Sequence, residues 1–195
     1  MQTGLERLQR ELSNRTIKQL SSSAQAAVAI IFRAHNNLES DVFIIERAQH
    51  PADPWSGHLA FPGGRREDCD ESLLATALRE VKEEVGLALD ECATYLGGLD
   101  HVRARGVQQK LTIAPYVFRL DEAIRLTPDP REVQRYFWVP LAPLLRGDRA
   151  TAVSVTSGKL RYSMPAYEVQ GKQLWGLTYE MLNAALRWMS ADEDT

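Results

Sequence analysis

Five charged side chains crowd one short stretch, Arg79-Glu80-Val81-Lys82-Glu83-Glu84. If the stretch is helical, Glu80, Glu83 and Glu84 share an arc of about 100° on one side of it. Carboxylates at i, i+3 and i+4 repel one another by a few tenths of a kcal/mol per pair on an exposed helix, and by more where they are partly buried. A divalent cation reverses that sign, and hard oxygen donors of this kind suit Mg²⁺ or Mn²⁺. Taken alone, the triplet favours a solvated acidic face, because glutamate is a good helix former. Its context favours chemistry. Phe61-Pro62-Gly63-Gly64 precedes the stretch, and two glycines let the backbone turn sharply and offer a bare carbonyl, that of Gly63, toward the acidic edge. Arg79 stands four residues before Glu83, the spacing at which a guanidinium orients a carboxylate.

The element that must present these groups is a helix over Ser72–Val85. Leu74, Ala77, Leu78, Val81 and Val85 mark its apolar face at the i, i+3, i+4, i+7 period. Glu84 lies nearest that face, Glu80 next and Glu83 farthest. Asp70 or Ser72 can cap the start, and Gly86 can close the end in a left-handed conformation. Around this helix the chain alternates. Leu5, Leu8 and Leu12 predict an amphipathic helix over residues 3–14, followed by a Ser-rich linker over 20–25. β-branched and apolar runs predict strands at 26–32, 42–45, 95–102, 111–118, 136–139 and 152–155, with a short strand at 59–61 inside the long Pro51–Gly64 loop. A short helix is expected near Pro143 and a longer one over 178–189. Strands interleaved with helices predict an α/β or α+β fold rather than a bundle. The expected organisation is an N-terminal helix and linker over 1–22, which docks on the rest or mediates a homodimer, and one domain over 23–195.

Bulk composition sets limits. The chain has 195 residues, of which 44% are hydrophobic and 25% charged, with a net charge of −3. No global basic field draws in nucleic acid, so an anionic small-molecule substrate needs local cations. Cys69 and Cys92 form no CxxC pair, which points to reduced thiols rather than a disulfide framework or zinc site. No apolar run approaches the roughly 20 residues of a membrane span, and the N-terminal segment lacks a signal-peptide core. A cytoplasmic protein with no membrane partner is the expectation. No Walker loop, GxSxG elbow or zinc motif offers another enzyme class.

The run from Gly64 through Leu87 resembles the Nudix box, G-x5-E-x7-R-E-U-x-E-E-x-G-U, where U is aliphatic. Its second half, Arg79-Glu80-Val81-Lys82-Glu83-Glu84-Val85-Gly86-Leu87, matches at every position. The isolated glutamate of the box falls on Glu71 when counted back from Arg79 and on Asp70 when counted forward from Gly64, so the loop is one residue longer than the common box. The resemblance implies a Nudix fold, a mixed sheet sandwiched between helices. It also implies metal-dependent cleavage of a diphosphate linkage in a nucleoside diphosphate derivative. Glu83 and Glu84 would then hold the metal, with Glu80 as a further ligand or the general base. Gly63 would contribute its carbonyl, and Arg79 would hold a glutamate in place. Bound cations would neutralise charge developing on the phosphoryl oxygens. The family often uses one more carboxylate outside the box, and Glu132 in Pro128-Asp-Pro-Arg-Glu-Val133 is the candidate. A non-catalytic nucleotide-sensing module would be expected to lose box glutamates, and this chain keeps all three.

The resemblance extends to the branch that cleaves coenzyme A and its thioesters. It is carried by the longer loop with Thr76-Ala-Leu-Arg-Glu80, by Arg47-Ala48 and Gly57 ahead of Phe61-Pro-Gly-Gly64, and by Glu132-Val-Gln-Arg-Tyr-Phe-Trp-Val-Pro140 and Leu174-Trp-Gly-Leu-Thr178. One position departs. The coenzyme A pattern has an arginine four residues before the glycine that matches Gly57, and this chain has Asp53. A carboxylate there leaves ADP-ribose, a dinucleotide polyphosphate or a damaged nucleoside triphosphate as alternative substrates. The substrate-binding candidates are Arg47, Gly64, Arg65, Arg66 and Arg105, with Trp55 and His58 at the mouth. Trp138 and Trp175 read as core, and Arg135 has no distinguishing context.

Overall fold

Leu5, Leu8 and Leu12 recur at helical spacing, and Gly4–Asn14 forms the first helix, α1. Thr3 caps it, accepting from the Glu6 N–H while the Glu6 carboxylate accepts from the Thr3 N–H. The three leucines are buried against the chain's own core, so this face of the helix docks on the protein. The structure is a computed structural model and describes residues 3–20, 24–35, 40–51, 55–104, 111–157 and 160–190.

Two long apolar strands follow, β1 (Ala24–Ala34) and β2 (Ser40–Arg47), then two short ones, β3 (Leu59–Ala60) and β4 (Gly63–Arg65). The acidic helix is α2 (Leu73–Val85), and a short helix, α3 (Leu89–Cys92), comes after it. Strands β5 (Thr94–Gly98), β6 (Val102–Arg103), β7 (Leu111–Leu120) and β8 (Val133–Pro140) lead to α4 (Leu141–Leu145). The chain continues through β9 (Ala150–Ser157), β10 (Leu160–Val169) and β11 (Lys172–Trp175) into α5 (Gly176–Ser190).

The main sheet runs β3-β2-β1-β7-β5, with β4 on β1, β6 on β7 and β8 on β2. Among the described residues its one parallel pairing joins β1 to β7, from Ala24↔Leu111 to Arg33↔Leu120, while its other pairings are antiparallel. Alternation along β1 and β2 sends side chains to opposite layers. Ile30, Phe32, Val42 and Ile44 pack with α1 and α5, and Ala29, Ile31, Phe43 and Ile45 pack with Val81 and Val85 of α2. The result is a mixed sheet between helical layers. A second, antiparallel sheet runs β11-β10-β9.

Several elements differ from the sequence reading. The strand expected over 95–102 is two strands, parted at residues 99–101, where the His101 N–H donates to the Lys18 carbonyl at 3.0 Å instead of to a neighbouring strand. β10 and β11 were not expected. β10 runs unbroken through Pro165 and is exposed along its first half, so it lacks the apolar alternation that marks a half-buried strand. Ser72 rather than Asp70 caps α2, accepting from the Ala75 N–H at 3.1 Å. Gly86 closes that helix at φ 71° with its N–H on the Lys82 carbonyl.

If α1 is part of the core, truncating it should behave like a core mutation. Leu8 is fully buried, so Leu8→Ala is expected to cost about 2–5 kcal/mol in urea unfolding. A cost below about 1 kcal/mol, the range of surface substitutions, would show that the helix is not integral.

Candidate active site

Burial along α2 follows from its apolar face. Glu84 is buried, Glu80 is mostly buried, and Glu83 is exposed. Arg79 ties the group together. Its Nη1 lies 2.9 Å from Glu83 Oε2 and 3.0 Å from Glu80 Oε1. On its other side it grips Asp70 as a fork, with Nε on Oδ1 and Nη2 on Oδ2, both at 3.0 Å. Nη2 also donates to the Arg65 carbonyl at 3.0 Å. Asp70 is itself buried and accepts from the Glu67 N–H and the Thr76 hydroxyl, each at 2.9 Å. Counting forward from Gly64 therefore finds the carboxylate that serves Arg79, whereas Glu71 is exposed. Thr76, fully buried on α2, was not singled out from the sequence.

β4 brings the glycine turn against this helix. Gly63 pairs with Val28, Gly64 with Ala27 and Arg65 with Ala26. The Gly63 N–H donates to Glu84 Oε2 at 2.9 Å. Gly63 has φ 146°, and a side chain there would run into the Ala27 carbonyl. A Cβ on Gly64 would lie 2.5 Å from the Glu80 carboxylate.

The electrostatics match the packing. Burial pushes Glu84 up to about 8; the Gly63 N–H and the Arg47 charge oppose this, while Glu80 and Glu132 add to it. Burial also raises Glu80, against the pull of Arg79. The charges of Arg47 and Glu132 thus bear on Glu84 from segments outside the box. Arg47 is held by its backbone, its N–H on the His58 carbonyl at 3.0 Å and its carbonyl accepting from Gly57 at 3.1 Å. Glu132 is exposed, and its turn is pinned to the end of α2 by the Asp129 N–H on the Glu84 carbonyl at 2.9 Å.

The remaining expected residues fall elsewhere. Arg66 folds back onto the Asp70 carbonyl at 3.1 Å and braces the loop. His58 faces Trp175, with ring centroids 5.3 Å apart. Trp55 is partly exposed. Trp138 is half-buried, with its ring beneath Arg33. Asp53 and Arg105 lie outside the described residues. Arg135 pairs with Glu46, which the sequence reading did not mark.

Glu80, Glu83 and Glu84 supply the hard oxygens that a divalent cation takes. Among the described residues, no three acidic, His or Cys side chains are gathered around one point; Arg79 holds Glu80 and Glu83, and the Gly63 N–H holds Glu84. The donor chemistry still fits. The carboxylates share one helical edge, and the bare Cα of Gly64 leaves room beside Glu80.

Two outcomes follow from this geometry. The Arg79 guanidinium holds the Asp70 carboxyl far below the ordinary value of 3.8. The resulting stabilisation is complete above 3.8 and declines as the pH falls from there toward the depressed value. Asp70→Ala should therefore lose about 3 kcal/mol at neutral pH in urea unfolding, and the gap to wild type should narrow on acidification below that window. A gap independent of pH would contradict the ion pair. Gly64→Ala should leave the melting temperature nearly unchanged but lower kcat on the order of 100-fold, since a displaced catalytic group costs that much. Near-normal turnover would mean that the position of Glu80 is unimportant.

A Nudix domain model matches residues 23–156. Over 187 residues the chain is 28% identical to mitochondrial coenzyme A diphosphatase NUDT8 of Homo sapiens, covering 94% of this chain and 77% of that protein. It is 31% identical over 128 residues to the uncharacterized Nudix hydrolase NudL of Photorhabdus laumondii, covering 66% of each. Among solved structures, the MutT/nudix family protein from Enterococcus faecalis superposes with a TM-score of 0.54 at 15% identity, covering 90% of this chain and 65% of that one. At that identity the likeness speaks for the fold alone. The family match spans most of the chain and includes the whole acidic helix with its glycine turn, and on that ground the protein belongs to the Nudix family of pyrophosphohydrolases.

Proposed function

We propose that the protein hydrolyses the diphosphate of coenzyme A or its thioesters, releasing a 4′-phosphopantetheine and adenosine 3′,5′-bisphosphate. The observation that carries this reading is the meeting of two segments. Arg47, from the upstream stretch that resembles the coenzyme A branch, is clamped by Gly57 and His58, and its charge bears on Glu84 of the box. The relative named as a coenzyme A diphosphatase supports the same reading.

In this proposal Glu83, Glu84 and the Gly63 carbonyl hold a divalent cation, Mg²⁺ or Mn²⁺, with Glu80 beside them. When bound, the cation neutralises charge on the phosphoryl oxygens and makes water easier to deprotonate. Arg79 keeps Glu80 and Glu83 oriented, and Asp70 keeps Arg79 in place. Glu80, raised by burial, accepts the proton of the attacking water. The water oxygen bonds to one phosphorus, the bridging P–O bond breaks, and the departing phosphate takes the electron pair. Glu132 adds a carboxylate opposite the box. Arg47, Arg65 and Arg105 would supply the positive charge that the substrate phosphates need. The setting proposed is cytoplasmic, consistent with the free cysteines Cys69 and Cys92. No described helix is long and apolar enough to cross a membrane.

Asp53, where the coenzyme A pattern carries an arginine, favours a second reading: the same chemistry on ADP-ribose, a dinucleotide polyphosphate or a damaged nucleoside triphosphate. A hydrolysis panel with Mg²⁺ and Mn²⁺, with products identified by mass, separates the two. Fastest release of adenosine 3′,5′-bisphosphate from coenzyme A is expected; faster cleavage of ADP-ribose or 8-oxo-dGTP would replace coenzyme A as the substrate. Glu84→Gln keeps an acceptor for the Gly63 N–H and removes the charge, so it should fold normally and lose turnover by at least about 1,000-fold, as loss of a metal-centred transition-state contact does. Substantial residual activity would remove Glu84 from the metal site.

A further inference from the structure

Away from the glutamates, the small sheet β9–β10–β11 and the Gly57–His58 end of the 55–58 turn border an open cleft of about 380 Å³. Pockets that hold small molecules run from about 300 to 1,000 Å³. Gly57 and His58 form one wall, and Glu168, Lys172, Gln173 and Trp175 form the other. The His58 and Trp175 rings lie 5.3 Å apart at 51°. Trp175 is held on a strand whose preceding residue, Leu174, is fully buried, and it pairs in register with Ala166.

The charged groups in the cleft are neutralised locally. Lys172 Nζ lies 2.6 Å from Oε1 of the buried Glu46 and 3.3 Å from the Gly57 carbonyl. Glu168 accepts from Arg149 at 2.7 Å and from the Gly171 N–H at 2.6 Å. A phosphate gains little in such a place, whereas a planar uncharged ring gains an aromatic face. The cleft is also close to the chemistry along the chain, since the two residues of its first wall are those that bind the Arg47 backbone.

We infer that the His58–Trp175 cleft holds the nucleobase of the substrate, a planar heteroaromatic ring stacked on Trp175, while the diphosphate lies over the glutamates of α2. This rests on the reading of the protein as a hydrolase of nucleotide diphosphate derivatives and deepens it by placing the end of the substrate remote from the reaction. It does not depend on which diphosphate is cleaved.

Isothermal titration with the intact protein in EDTA tests the assignment without turnover. The probes are AMP and 4′-phosphopantetheine, on wild type, Trp175→Ala and Trp175→Phe, each with a folding check by circular dichroism. AMP affinity should fall on the order of tenfold in Trp175→Ala and largely return in Trp175→Phe, with phosphopantetheine unaffected. Unchanged AMP affinity in Trp175→Ala, or a loss that falls on phosphopantetheine instead, overturns the assignment. If Trp175→Ala fails to fold, His58→Ala carries the same expectation and the same refutation. Because AMP binding is read directly, rejection of coenzyme A in the hydrolysis panel would leave this result standing, and loss of the cleft would leave the panel standing.

Discussion

Like-charge repulsion on one turn of α2 is the constraint around which the rest of the molecule is arranged. Three carboxylates on a helical edge, one of them buried, work against the helix that carries them. Arg79 offsets this by placing one guanidinium between Glu80 and Glu83 on one side and Asp70 on the other. Asp70 in turn is fixed by the Glu67 N–H and the Thr76 hydroxyl. The helix itself is anchored by Val81 and Val85 against the sheet and closed at both ends by Ser72 and Gly86. Each device lowers the cost of holding negative charge where a cation and a polyphosphate can meet it.

A second charge network works at a distance from the first. Glu46 is almost wholly buried on β2, with Lys172 from β11 and Arg135 from β8 on its two oxygens. Both cations hold the carboxyl below its usual range against the opposing effect of burial. Removing either one would leave a buried anion partly uncompensated, which is far costlier than losing an exposed pair. The network ties the small sheet to the main one, and its Lys172 also reaches the Gly57 carbonyl. The turn that positions Arg47 is therefore supported from both sheets.

Local patterns were legible in the sequence and distant partnerships were not. The period of Leu74, Ala77, Val81 and Val85 and the spacing of Arg79 to Gly86 located α2, its C-terminal cap and the order of burial of its glutamates, because all of this is encoded within one helix. The sequence allowed either Asp70 or Glu71 as the isolated carboxylate, and only packing against Arg79 separates them. β10 and β11 escaped notice because their pairing, not their composition, makes them strands. Arg66 looked like a free cation for phosphate but is drawn back by the Asp70 carbonyl. Arg135 and Trp175 acquire meaning only from Glu46 and His58, residues far away in the chain.

The parallel pairing of β1 with β7 has a consequence for the order of assembly. The two strands are joined along their whole shared length, yet the glycine turn and the acidic helix both lie in the chain between them. During synthesis, α2 and its caps can form as soon as they emerge, but the sheet they rest on is incomplete until β7 has been made. Parallel pairing across so long an interval carries a loop-closure cost before it returns any contact energy. The nascent chain thus carries an exposed apolar helix face and an unmatched β1 edge for the time needed to translate that interval, which makes this the stage at which chaperone engagement or misassociation would act.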